Sequence, residues 1–234
     1  MKIAVTAASG LLGAEIVKAS RSLVDQGSIV AISRNTSKVN NLCVEVRKGD
    51  YNLKGDFDEA LQGVDALLLV SGMDHPTKRI DQHRKVIDAA RDAGVRRIVY
   101  TSVQGPETGT TFSSVVNSNR QTEQDIRSSG IDWVIGRNGI YIEPDVEYIK
   151  TYQERGVIAN CASDGKCGYT TRRELAFAYA QMLTEDRHIG NTYNLHGEPL
   201  TQNQLADYLN KAFGTNLVYV SMTVEEYRQE RIAE

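Results

Sequence analysis

Through residues 1–136, short β-branched apolar runs alternate with longer amphipathic stretches. The apolar runs predict strands at Lys2–Thr6, Ser28–Ile32, Cys43–Val46, Ala66–Val70, Arg97–Thr101 and Trp133–Gly136. The intervening patterns predict helices at Leu11–Asp25, Asp56–Gln62, Asp74–Ala93 and Ser114–Ser128; in the second of these, Phe57 and Leu61 fall on one face. The run from Ala66 to Val70 holds no polar residue, as a parallel strand covered on both faces requires. Alternation of this length calls for right-handed crossovers. The expected class is therefore α/β, a Rossmann-type doubly wound parallel sheet with helices on both faces.

The last third has a different rhythm. A helix is predicted at Arg172–Thr184, a short strand at Thr192–Leu195, a helix at Thr201–Phe213 opened by Thr201 as cap, and a strand at Leu217–Val220. Thr223 caps a charged ending, residues 224–234. There is no repeat and no Pro/Gly-rich linker, so residues 1–234 read as one domain in which 138–234 contribute most of a small C-terminal α+β lobe.

With 234 residues the chain can bury a sizeable core without disulfides or metals. Its 27 basic and 30 acidic residues are well mixed, which leaves no basic stripe to track a phosphate backbone and excludes a nucleic-acid binder. The opening MKIAVTAASG turns Gly-rich after a few apolar residues, too soon for a signal peptide, and no stretch approaches a membrane span. Cys43, Cys161 and Cys167 make no even framework and suit a reducing compartment, so cytoplasm is expected. His75, His83, His188 and His196 form no ligand spacing with the cysteines, and no metal is expected.

The first strand runs into Ala7-Ala8-Ser9-Gly10-Leu11-Leu12-Gly13, and a helix follows at once. Strand, tight turn and helix N-terminus are the context of a dinucleotide fingerprint. Gly10 lets backbone amides approach a pyrophosphate, Gly13 lets helix and strand pack closely, and the helix N-terminus supplies free N–H groups. The first glycine of the pattern is replaced by Ala7, so the turn needs another geometry or some strain. At the end of the second strand, where an NAD site places Asp or Glu, stand Ser33 and Arg34, with Lys38 one turn on. A guanidinium there pairs with a 2′-phosphate, and NADP(H) is expected over NAD(H).

TAASGLLG, ISRNTSK, KGDYN, LLLVSG, HRKVIDAARDAGVRRIVYTS, TEQDIRSSGIDW, RNGIY and SDGKCGYTTRRELA together resemble the NmrA-like branch of the atypical short-chain dehydrogenases, the branch that holds bacterial quinone and triphenylmethane reductases. The resemblance runs in order from residue 1 to about residue 220. It implies NADP(H) on the core, a pocket between core and lobe, and hydride transfer to a small-molecule acceptor, a quinone or similar aromatic. A homodimer is compatible with the branch.

Carried over by position, Ala7, Ala8, Ser9, Gly10, Leu11 and Leu12 would line the pyrophosphate and Arg34 the 2′-phosphate. Asp50 and Tyr51 would sit by the adenine, and Ser71 and Gly72 would pass the ribose, with Thr101 also on the cofactor. Asn138, Gly139, Ile140 and Tyr141 would flank the nicotinamide, and Ala162, Ser163, Asp164, Gly165 and Lys166 match a loop that closes over that end. Three positions depart from the branch. Ala7 stands for Gly, Asn119 stands where a His is expected four residues before Glu123, and the sequence ends at Glu234 where members usually continue with further helices. A reduced lid of that kind is expected to leave the pocket more open.

The main short-chain dehydrogenases move a proton with a Tyr and a Lys four apart, and Ser114–Ser128 contains neither. An alcohol dehydrogenase or a sugar-nucleotide epimerase, each needing that base, is disfavoured. Quinone reduction asks for less, with Ser102 and Tyr141 as candidate catalytic hydrogen-bond donors. The alternative is a non-catalytic redox sensor of NmrA type, which binds the dinucleotide and reports its state. Asn119 and Glu123 read as a solvated helix face, Cys161 and Cys167 as two unconnected thiols, His83 as a structural polar group and Trp133 as core.

Overall fold

The structure is a computed structural model and describes residues 1–233. In chain order the elements are β1 (Ile3–Val5), α1 (Leu11–Ser20), β2 (Ile29–Ser33), β3 (Glu45–Lys48), α2 (Lys54–Ala60), β4 (Ala66–Val70), α3 (Pro76–Asp92), β5 (Arg97–Val103), α4 (Ser113–Arg127) and β6 (Asp132–Asn138). They continue with β7 (Ile140–Tyr141), α5 (Glu143–Glu147), α6 (Ile149–Arg155), β8 (Val157–Asn160), β9 (Tyr169–Thr170), α7 (Arg172–Thr184), β10 (Thr192–Leu195), α8 (Gln202–Phe213), β11 (Val218–Ser221) and α9 (Val224–Ala233).

The expected Rossmann-type parallel sheet is present, seven strands in the order β10-β6-β5-β4-β1-β2-β3. All its pairings are parallel; Val5 stands opposite Ala31 on one side and Leu68 on the other. Ala4, Leu67, Leu69, Ile98, Tyr100 and Ile135 pack with Phe57 of α2, Val86 and Ala90 of α3 and Ile126 of α4 in one core cluster, while α1 packs against α7.

The third strand begins two residues later than expected, at Glu45. Cys43 takes the left-handed conformation (φ 54°) that closes a 3-10 turn over Thr36–Leu42, and a residue so placed cannot start a strand. The first helix stops at Ser20 rather than Asp25, where Ser22 returns its hydroxyl to the Ala19 carbonyl at 2.7 Å. β5 and β6 each run two residues beyond their expected ends, through the pairs Ser102–Arg137 and Val103–Asn138. Both extensions carry polar side chains, so the apolar pattern did not mark them.

The chain divides into two compact units, residues 1–138 with 172–195, and residues 139–171 with 196–234. Within the stretch expected to build the lobe, residues 172–195 thus belong to the sheet unit. Here α7 covers α1, and β10 pairs with β6. Arg97 holds the end of that helix. Its guanidinium donates to the carbonyls of Met182, Leu183 and Glu185 at 3.1–3.3 Å and pairs with Asp186. The second unit has its own core of Ile158, Leu205, Ala206, Leu209 and Leu217, and β8 pairs in parallel with β11. Thr201 opens α8 through a capping box with Gln204, and Thr223 accepts from Glu226 N at the start of α9. Residue 234 lies outside the described residues. No described helix is long and apolar enough to cross a membrane.

Gly49, just after β3, has no room for a side chain: a Cβ would lie 2.3 Å from Ile32 Cγ2 and 3.1 Å from Phe57 Cζ. Gly49→Ala is expected to destabilise the protein by about 1–3 kcal/mol through overpacking. A lower urea midpoint at unchanged slope would bear this out, and an unchanged midpoint would show that the core there yields freely.

Candidate functional site: the crevice beyond the parallel strands

Chain order reverses between β1 and β4, so the connections leaving these two strands diverge to opposite sides of the sheet. Open α/β sheets bind ligands in the crevice this creates at the C-terminal ends of the strands. The positions expected from the sequence in the first unit gather there: Ala7–Leu12 after β1, Ser33 and Arg34 at β2, Asp50 and Tyr51 after β3, Ser71 and Gly72 after β4, Thr101 and Ser102 in β5, and Asn138 closing β6.

The turn after β1 is made with strain. Ala7 adopts φ 48°, a left-handed conformation costing a residue with a Cβ about 1–2 kcal/mol. Its carbonyl accepts from Gly10 N at 2.9 Å, while Ala8 N ties the loop to Ile32 O at 3.0 Å. A Cβ on Gly13 would lie 2.4 Å from that same Ala7 oxygen, so α1 starts this close to the turn only because residue 13 is glycine. The first backbone bond at the start of α1 is Ala14 N to Gly10 O; the amides of Leu11, Leu12 and Gly13 precede it. No side chain caps this end and no acidic residue stands in its first turn. Such a terminus fits a pyrophosphate.

Beyond β2, Ser33 is buried and donates to Asn35 O at 3.0 Å, which turns the chain so that Arg34 is exposed. Arg34 forms no ion pair among the described residues, and its charge reaches Asp74, whose carboxyl is held below its usual range by Gln82, Lys78 and Arg34. Lys38 is exposed on the following 3-10 turn. The Asp50 carboxylate accepts from Asn52 N and Nδ2, both at 2.9 Å. Tyr51 is half-buried. Its hydroxyl donates to Val70 O at 2.6 Å and stands 2.6 Å from the Thr6 hydroxyl, and its ring stacks on Phe57. Tyr51 therefore ties β3 to the central strands as well as bordering the crevice.

Past β4, Ser71 N donates to Thr101 Oγ1 at 2.8 Å and Ser71 Oγ to Asn119 Oδ1 at 3.2 Å. Asn119 Oδ1 also accepts from the Tyr100 hydroxyl at 2.7 Å. The Asn138 side chain accepts from Tyr179 OH at 2.6 Å, and a Cβ on Gly136 would fall 2.4 Å from that same hydroxyl.

Asn119 and Glu123 overturn the reading of a solvated helix face, since both are buried. Glu123 collects Arg120 (2.9 Å) and Arg127 (3.3 Å) from its own helix, Arg137 (2.6 Å) from β6, and the Ser102 hydroxyl (2.6 Å). Burial pushes the Glu123 carboxyl up, but Arg137, Ser102 and Arg120 together outweigh it and hold it below its ordinary value. The sequence carries half of this signal, as Arg120 and Arg127 lie at helical spacing around Glu123. Arg137 comes from a strand and was not legible. Ser102 is thus a member of this ion cluster, its proton directed at Glu123. His83 has the structural role expected of it: Nε2 accepts from Gly72 N at 3.1 Å, so its proton sits on Nδ1 and is donated to Thr122 Oγ1 at 2.9 Å. Thr6, which lies in TAASGLLG but was not among the expected site residues, also shapes the crevice by accepting from Val70 N at 2.9 Å.

The remaining expected residues lie in the second unit. Gly139 is packed so that a Cβ would meet Gly168 O at 2.3 Å; Ile140 N donates to that carbonyl, and Ile140 and half-buried Tyr141 pair with Tyr169 and Thr170. Ala162, Ser163, Asp164, Gly165 and Lys166 form an exposed tight turn, with Gly165 N on Ala162 O at 2.9 Å and Ser163 left-handed at φ 53°.

A glycine-bordered helix N-terminus at the switch point of a parallel sheet defines a dinucleotide-binding protein. The chain belongs to the NAD(P)H-binding family, whose model matches residues 7–186. It is 35% identical over 229 residues to quinone oxidoreductase 2 of Escherichia coli strain K12, covering 96% of this chain and 79% of that protein. Among solved structures it is similar to Citrobacter sp. triphenylmethane reductase complexed with NADP(H), with TM-score 0.91, 36% identity, and 100% of this chain and 83% of that one covered. It is also similar to the Escherichia coli NADPH-dependent quinone oxidoreductase complexed with NADPH, with TM-score 0.89, 35% identity, and 97% and 81% covered.

Glu123→Gln leaves three guanidiniums without their carboxylate and is expected to cost about 3 kcal/mol at pH 7. Because the folded carboxyl titrates below its ordinary 4.5, this contribution is full above that value and fades as pH falls through the lower folded pKa. Denaturant unfolding of both proteins from pH 3 to 8 checks it. A gap between them that stays constant down to pH 3 would contradict the ionised cluster.

Proposed function

We infer that the protein is an NADPH-dependent oxidoreductase that reduces a quinone or a comparable conjugated aromatic acceptor. Arg34 carries the reading. Where an NAD site places a carboxylate, this chain presents an exposed guanidinium without an ion pair among the described residues, ready for a 2′-phosphate. The acceptor class is supported by the quinone and triphenylmethane reductases that match the chain at 35–36% identity over nearly its whole length.

The turn Ala7–Leu12 binds the pyrophosphate through backbone amides, and Gly13 keeps α1 close enough for them to reach it. Asp50 and Tyr51 border the adenine, and Ser71, Gly72 and Thr101 lie along the ribose. Asn138, which closes β6, serves the nicotinamide end. When bound, NADPH supplies a hydride to the electron-poor ring of the acceptor, which takes up two electrons and needs one proton to finish as the hydroquinone. Ser102 does not provide that proton, because its hydroxyl is turned into the Glu123 cluster. Water delivers it.

A second reading, a dinucleotide-binding sensor, draws on the engagement of Ser102 and Asn119 in structural hydrogen bonds. One assay separates the two. With a simple benzoquinone as acceptor, NADPH oxidation is expected to saturate and to exceed NADH oxidation, and Arg34→Ala is expected to lower kcat/KM for NADPH by about 10–100-fold through loss of charge-assisted bonds, leaving NADH unaffected. Tight NADPH binding without turnover on several acceptors would select the sensor. Equal use of both cofactors, unchanged in the variant, would remove Arg34 from the reading.

A further inference from the structure

Residues 71 and 72 are held more completely than an ordinary strand exit. Besides the bonds of Ser71 to Thr101 and Asn119, both polar groups of the Gly72 backbone are gripped by α3. Gly72 N donates to His83 Nε2 at 3.1 Å, and Arg79 Nη1 donates to Gly72 O at 3.3 Å. Arg79 and His83 are four apart, so successive turns of one helix face take the two ends of one residue. The hold stops abruptly, since Met73 is 97% exposed.

The grip is costly to the protein. Arg79 is only 6% exposed, no carboxylate pairs with it among the described residues, and its buried Nε has no partner. The neighbours packed around the pair add no negative charge. His83 is neutral, its pKa pushed down to about 3 by burial and by the Arg79 charge, and Tyr100 meets the His83 ring edge-on. Burial lowers the Arg79 pKa, and the one long hydrogen bond it makes in the protein does not offset the desolvation of its Nε. If α3 served packing alone, a methionine of similar length would fit residue 79 better. Core devices that lower stability are characteristic of sites where backbone is fixed for a ligand.

We propose that Arg79 and His83 are positioning residues for the dinucleotide, clamping the Gly72 peptide so that the exit of β4 is preset where the cofactor ribose passes. This rests on the cofactor reading above, in which Ser71 and Gly72 border the ribose. Neither residue touches the reacting atoms. They act through the backbone, and a preset loop lowers the ordering cost of binding.

The test pairs ligand affinity with stability, because the two move apart only if the role is functional. Arg79→Met is expected to leave the melting temperature of the ligand-free protein unchanged or raised, while Kd for NADPH, read by fluorescence titration, rises about tenfold. KM for NADPH should rise more than kcat falls. Arg79→Lys keeps a donor and should recover part of the affinity. His83→Gln offers an acceptor to Gly72 N and should bind more tightly than His83→Leu, which keeps the variants informative if the leucine protein folds poorly. Wild-type-like Kd in Arg79→Met, or a fall in melting temperature with no loss of affinity, overturns the clamp. Wild-type protein that binds NADPH but reduces no acceptor overturns the reductase reading and leaves this comparison intact. Wild-type protein that binds no dinucleotide overturns both.

Discussion

The position of β1 between β2 and β4 is the constraint on which the site depends. A strand of three residues, Ile3–Val5, is hydrogen-bonded on both sides, and the chain must leave it between two sets of connections that part in opposite directions. The turn at Ala7 and the start of α1 stand at that parting. The strained alanine, the glycine at 13 and the bond from Ala8 N to Ile32 O all follow from bringing a helix N-terminus to that point. Thr6 locks the junction from below, accepting from Val70 N at 2.9 Å and lying 2.6 Å from the Tyr51 hydroxyl, so β1, β4 and the loop after β3 are fixed to one another by one hydroxyl group.

Buried polar side chains do much of the remaining positioning, and they do so in matched sets. Glu123 is affordable in the core because three guanidiniums and a hydroxyl surround it, and the same arrangement lets β5 and β6 carry Ser102 and Arg137 past their apolar stretches. Arg97 donates through Nη1 to the carbonyls at the end of α7, where the negative end of the helix dipole lies, and pairs with Asp186. Arg79 differs from them in reaching one carbonyl, Gly72 O, and no carboxylate among the described residues, and it lies beside the crevice rather than in the framework.

Chemically the arrangement favours reactions in which the protein orients and the cofactor reacts. The helix α4 carries neither the Tyr nor the Lys that an alcohol dehydrogenase needs, and its Asn119 and Glu123 are built into the core: one carries the loop after β4, the other anchors the ends of β5 and β6. Hydride transfer to an aromatic ring does not need the missing pair. The quinone and triphenylmethane reductases reported above match this chain along about four-fifths of their own length.

Sequence alone determined the class of sheet, the placing of its first six strands, the glycine turn and the arginine that follows β2. Each of these is written in local terms: periodicity, an unbroken apolar run, a glycine where backbones meet, a charge at a strand end. In the second unit β7 and β9, of two residues each, are too short for a period to show, and α5, α6 and β8 were not read from the sequence either. Nor could local pattern say that α7 and β10 return to the sheet, since that choice is made by Tyr179 filling the space above Gly136 and by Arg97 capping the helix from a distant strand. Tertiary structure also decided the fate of Asn119, Glu123 and Ser102. A carboxylate on a helix reads as solvated until the strand arginine that pairs with it is brought within 2.6 Å, and only the fold supplies that partner.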